Sequence, residues 1–280
     1  MKNLLLMAMA IIGIAMSSCK KENNEIINSE TEGLLKIMEM SDDEYTVELY
    51  SSTGNFQLGY NEVYLRLKER ASGNYQTTVN FSWVPIMNMM TTTHSCPKSS
   101  IQKETGKETL YSGYIVFQMP ENADEHWTLT INYETAASTG SVSNQISVPP
   151  SIYKKVSVFT GTDSKKYIIA LVQPQKPTVA INDLTLGLFS MESMMLFPQV
   201  TNYQISFDPR MPDMGNHSSP NNENPTISDA DWMYHGKLSL TMTGRWKLNL
   251  MVRNQDGNIV KGENVTNTQD SSLFLEVEAN

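Results

Sequence analysis

The chain has 280 residues, a formal net charge of −9 and 40% hydrophobic residues. That acidic balance argues against nucleic acid as a partner, because phosphate binding needs concentrated Lys and Arg. The hydrophobic fraction is enough for packed cores, and the length allows more than one of them.

The chain opens on Met1-Lys2-Asn3, and an almost unbroken apolar run follows from Leu4 to Met16. The run is too short to span a bilayer as a helix, which takes roughly 20 residues, and it has the length and flanks of a secretory signal segment. Ser17 and Ser18 then precede Cys19, and Lys20-Lys21-Glu22-Asn23-Asn24-Glu25 follows. This arrangement resembles a bacterial lipoprotein signal of the surface-exported Bacteroidetes type. The resemblance implies removal of residues 1–18, acylation of Cys19, a polar tether over 19–35, and a place in the cell envelope. There the protein would be an outer-membrane lipoprotein, surface-exposed or periplasm-facing, held to the membrane by its lipid anchor. With Cys19 acylated, Cys96 has no intrachain partner, so a disulfide framework is excluded. Cys96 is then a small buried hydrophobe, an intermolecular pair or a ligand.

Beyond the tether the chain reads as strands. Tyr45–Tyr50, Gln76–Val84, Gly113–Met119 and Trp127–Tyr133 alternate with period two in the first half, as do Lys166–Val172, Trp246–Val252 and Leu273–Val277 in the second. They are separated by Gly, Asn, Ser and Pro. One motif occurs twice. Residues 85–97 run Pro-Ile-Met-Asn-Met-Met-Thr-Thr-Thr-His-Ser-Cys-Pro, and residues 209–220 run Pro-Arg-Met-Pro-Asp-Met-Gly-Asn-His-Ser-Ser-Pro.

Aligning the two motifs brings other landmarks into step. Asn61–Leu67 matches Asn182–Leu188, and Phe81 and Trp83 match Ile205 and Phe207. Tyr111-Ser-Gly113 matches Tyr234-His-Gly236, Met119 matches Met242, and Trp127-Thr-Leu129 matches Trp246-Lys-Leu248. A repeat this long means tandem domains, placed at 36–150 and 151–280 with Pro149-Pro150 at the junction. The predicted fold class is all-β: two tandem immunoglobulin-like antiparallel β-sandwiches, with Trp83, Trp127 and Trp246 in the cores.

At these residues the chain resembles the YtkA-like family of small extracytoplasmic β-sandwich domains. The resemblance rests on Met87, Met90, His94, Tyr111, Gly113 and Trp127 in the first copy, and on Met211, Met214, His217, Tyr234, Gly236 and Trp246 in the second. It implies a secreted or membrane-anchored protein of copper handling or metal efflux. The first copy departs by one extra residue between Met90 and His94.

Thioether and imidazole donors suit Cu(I) better than zinc or calcium. The candidate metal ligands are Met87, Met90, His94 and Cys96, then Met211, Met214 and His217, with Met89 and His235 as further donors. The expected function is a copper-binding lipoprotein or efflux accessory that turns over no substrate and hands its ion to an envelope metal-transport protein. The competing expectation is a structural or protein-binding immunoglobulin-like module with no metal, in which the methionines merely pack a core. Enzymatic activity is not expected. The chain has no Gly-x-Ser-x-Gly elbow, no His-Glu-x-x-His pattern and no Gly-rich phosphate loop.

Overall fold

The computed structural model describes residues 30–266 and 269–280. The expected signal segment 1–18, the expected acylation site Cys19 and most of the expected tether lie outside the described residues. The first half contributes β1 (Leu35–Ser41), β2 (Tyr45–Ser51), β3 (Gly59–Glu69), β4 (Asn80–Asn88), β5 (Thr93–His94), β6 (Gln102–Lys103), β7 (Tyr111–Phe117), β8 (His126–Glu134) and β9 (Thr139–Ile146). The second contributes β10 (Val156–Thr160), β11 (Lys166–Gln173), β12 (Ile181–Met191), β13 (Gln204–Met211), β14 (His217–Ser218), β15 (Glu223–Ile227), β16 (Tyr234–Ser239), β17 (Gly244–Arg253), β18 (Ile259–Lys261) and β19 (Leu273–Ala279). The only helical element among the described residues is a short 3₁₀ turn, Pro212–Met214.

Each half is a sandwich of two antiparallel sheets. In the first, the order β1-β2-β3-β7-β6 faces β5-β4-β8-β9. In the second, β10-β11-β12-β16-β15 faces β14-β13-β17-β18, with β19 also paired to β17. The strand orders correspond one to one, β18 being the addition. The chain is therefore a pair of immunoglobulin-like sandwiches in tandem.

Alternation along the central strands makes the cores. On β8, Trp127, Leu129, Ile131 and Tyr133 are buried while the intervening residues are partly exposed, as a strand with one covered face requires. On β17, Trp246, Leu248, Leu250 and Val252 fill the second core, and the intervening Asn249 and Met251 are buried as well. Two further pairs of landmarks hold equivalent places. The Tyr111 hydroxyl donates to Thr77 O at 2.9 Å and accepts from Val79 N at 2.9 Å. The Tyr234 hydroxyl donates to Val200 O at 2.8 Å and accepts from Tyr203 N at 3.2 Å. Asn61 and Asn182 each close the turn before their strand, accepting from the backbone N–H four residues upstream and donating back to that residue's carbonyl.

β11 departs from the sequence reading. Its residues Tyr167 to Val172 are buried without interruption rather than alternately. The reason is a third apolar cluster between the sandwiches. Ile168, Ala170 and Val172 turn away from their own core and pack, with Val156, Phe189, Phe197 and Met233, against Val116 of the first domain. A strand covered on both faces loses its period. Tyr114 and Phe189 meet across this seam, ring centroids 6.2 Å apart.

The last residues of the expected tether are fixed to the first domain. Glu30 accepts hydrogen bonds from the backbone N–H groups of Glu108 and Thr109, the latter at 2.8 Å, and from the Thr109 hydroxyl at 3.0 Å. Partial burial acts to raise the Glu30 pKa. The three donors and the nearby Arg66 charge outweigh it and hold the carboxyl below its ordinary range.

Candidate soft-metal site

Both motifs fold as hairpins rather than as loops wrapped around a point. β4 ends on Asn88, the chain turns through Met89 to Thr92, and β5 returns so that His94 stands opposite Met87. Met87 is also opposite Trp127 on β8. A cross-strand row therefore runs His94, Met87, Trp127 on one face, where directly opposed residues touch. In the second domain Met211 stands opposite His217. The pairing of Arg210 with Lys247 places Trp246 one step further along, so the row His217, Met211, Trp246 repeats the first.

The hairpins decide which donors gather. Met87 is fully buried and Met211 nearly so, whereas Met90 and Met214, at 79% and 57% exposure, stand at the turns. Met89 packs partly against the first core. The sulfur that His94 meets is that of Met119, at 3.3 Å from Nε2. Met119 lies just beyond β7, and its carbonyl accepts from Trp127 Nε1 at 3.0 Å. Met242 holds the same place in the second domain, its carbonyl accepting from Trp246 Nε1 at 3.0 Å. His94 also stands edge-on to Trp127 at 5.7 Å, and His217 stands edge-on to Trp246 at 6.4 Å. The pairing of Met119 with Met242 is legible in the sequence, but nothing in the spacing of the motif marks them as donors.

The short contact to the Ser95 carbonyl is the one that assigns the His94 proton to Nδ1, although Gln118 Nε2 also lies 3.1 Å from that nitrogen. Nδ1 lies 2.7 Å from the Ser95 carbonyl, a distance that only an N–H donor tolerates against an oxygen lone pair. Gln118 Nε2 donates to the same carbonyl at 3.0 Å. In the neutral ring Nε2 is then bare and faces the Met119 thioether, two soft lone pairs with no proton between them. Ligand distances of about 2.0 Å to nitrogen and 2.3 Å to sulfur would put these two atoms 3.3 Å apart at an angle of about 100°. The observed gap of 3.3 Å equals that separation. Ser95 Oγ and Gln118 Oε1, both buried beside this ring, have no hydrogen-bond partner among the described residues.

Cys96 belongs to the core instead. It is 1% exposed, and burial pushes its thiol well above the ordinary range, opposed only weakly by Lys98. A buried neutral thiol is neither a nucleophile nor a ready partner for an intermolecular disulfide. In a C19S form, a thiol reagent should label Cys96 only after denaturant is added. Rapid labelling of the folded protein would mean that the first core opens around Cys96. His235 is likewise engaged elsewhere, its Nε2 2.9 Å from Asp231 on the outer side of the other sheet.

Among the described residues no three His, Cys, Asp or Glu side chains cluster as a metal site, so an ion here would depend on methionine sulfur. No family model matches the sequence, and no curated protein matches it. A solved structure of FdeC, an Escherichia coli adhesin, aligns at 13% identity over 86% of this chain and 65% of that chain, with a TM-score of 0.25. A score that low establishes no structural correspondence between the two.

Proposed function

We propose that the chain is a non-catalytic lipoprotein of the cell envelope that binds Cu(I), as the YtkA-like domains it resembles imply. The ligands are His94, Met119 and Met87 in the first domain, and His217, Met242 and Met211 in the second. Trp127 and Trp246 shield the ion and offer a π face to its charge. One nitrogen and two thioethers make a soft, low-coordinate set that selects Cu(I) over harder ions. The observation that carries this reading is the bare Nε2 of His94 facing the Met119 sulfur at 3.3 Å. The hairpin methionines Met90 and Met214 and the thiol of Cys96 are not part of the set. An envelope metal-transport protein is the recipient this chemistry fits.

Cu(I) titration against a competing chelator under reducing conditions tests it. H94A and M119L should each weaken the first site by at least about tenfold, the loss of one donor bond of roughly 1.4 kcal/mol or more. M90A should leave it unchanged. Equal affinity in M119L and the parent protein would overturn the assignment. The alternative is a tethered structural or protein-binding immunoglobulin-like module. The full burial of Met87 within the first core favours it, and an absence of any Cu(I) binding would leave it standing.

A further inference from the structure

The same donor row stands in two different surroundings. In the first domain His94 is buried, its Nδ1 bonded to the Ser95 carbonyl and its Nε2 against the Met119 sulfur. The second domain also lies on this hairpin. Ser95 N donates to Met194 O at 2.8 Å, and Met194 belongs to a turn closed by Glu192 N to Leu196 O at 3.0 Å. In the second domain His217 and Ser218 are exposed. Among the described residues neither ring nitrogen of His217 has a hydrogen-bond partner, and no hydrogen bond joins its hairpin to the first domain. Met214 stands at the tip of that hairpin, 57% exposed.

An ion leaves a thioether and imidazole site when an incoming soft ligand attacks it or when a donor swings away. The first domain obstructs both routes. Its imidazole is pinned through Nδ1, and the turn of the neighbouring domain sits against the strand that carries it. The second domain obstructs neither. The His217 ring is held by no hydrogen bond, and solvent reaches it directly.

We infer that the two domains divide the work, the second exchanging Cu(I) rapidly with soft ligands outside and the first retaining it. The inference rests on the soft-metal reading above. It adds that the seam between the sandwiches controls release from the first site, because the covering turn continues into Phe197 of the seam cluster. The chemical class that loads the exchange site is a Cu(I) complex of thiols or thioethers, small enough or flexible enough to reach an exposed hairpin.

Chelator-driven release from the Cu(I)-loaded full chain, followed by stopped-flow absorbance, separates the possibilities. Two phases are expected, differing at least about tenfold, since related sites differ mostly in their off-rates. M242L and H217A should abolish the fast phase, and M119L and H94A the slow one. The Leu variants conserve volume, so that loss of a phase is not loss of fold, and near-ultraviolet dichroism checks this. F189A changes a seam residue that is not a donor and should accelerate the slow phase alone. A single phase with binding intact, a fast phase that depends on His94, or a slow phase indifferent to F189A would each overturn the division of work. Failure to retain Cu(I) against the chelator in either domain would overturn the soft-metal reading itself and this inference with it.

Discussion

Truncating Trp127 to Ala should remove about 4–5 kcal/mol from the stability of the first domain, at the upper end of the range for buried aromatic residues. The indole is completely buried. It packs against Phe117 with ring centroids 4.9 Å apart and against His94 at 5.7 Å, and its Nε1–H satisfies the Met119 carbonyl. Removal leaves a cavity at the centre of the sandwich, an orphaned carbonyl and two donors without a wall. Urea unfolding followed by fluorescence of the remaining tryptophans measures the loss, and W127F should recover much of it by refilling the volume. A cost below about 1 kcal/mol would show that the surrounding strands collapse onto the gap, contrary to the close packing expected of a core. On the soft-metal reading proposed above, W127A should also lose Cu(I) affinity at the first site, since the Met119 backbone is positioned by this hydrogen bond.

The seam offers the second large effect. Phe189 is 1% exposed and lies between the sandwiches, next to Tyr114. F189A should cost about 3–4 kcal/mol, the usual penalty for a buried phenylalanine, but its signature should be different. The contacts it removes couple two cores that are each complete on their own. Calorimetry of the parent protein should give one merged transition, and that of F189A two resolved ones, as domains regain independence once their interface weakens. A single transition shifted downward without splitting would mean that Phe189 serves only its own domain.

The fold was legible in the sequence because its central strands keep one face covered. Trp127 to Tyr133 and Trp246 to Val252 announce their inward residues by alternation, and the two copies fix each other's register through Asn61 with Asn182 and Tyr111 with Tyr234. β11 escaped that logic. The alternation expected over Lys166–Val172 gives way to unbroken burial from Tyr167 to Val172 because a neighbouring domain covers the outer face, and composition alone does not show which neighbour. The donor set was legible only in part. Met90 and Met214 fall in the turns that join the paired strands, where their side chains are exposed, so neither joins Met87 or Met211 beside the histidine. The sulfur that faces His94 is that of Met119, a contact that depends on two sheet registers and one indole hydrogen bond.

The clasp made by Glu30 bears on how the molecule would carry a load. β1 is an edge strand held by β2 alone, and a pull on such an edge peels its hydrogen bonds apart one pair after another. Glu30, however, grips the backbone at Glu108 and Thr109, just before β7 on the far side of the same sheet. Tension arriving from the N-terminal side of Glu30 is therefore delivered first to the segment leading into β7, and the edge strand is spared until that carboxylate lets go.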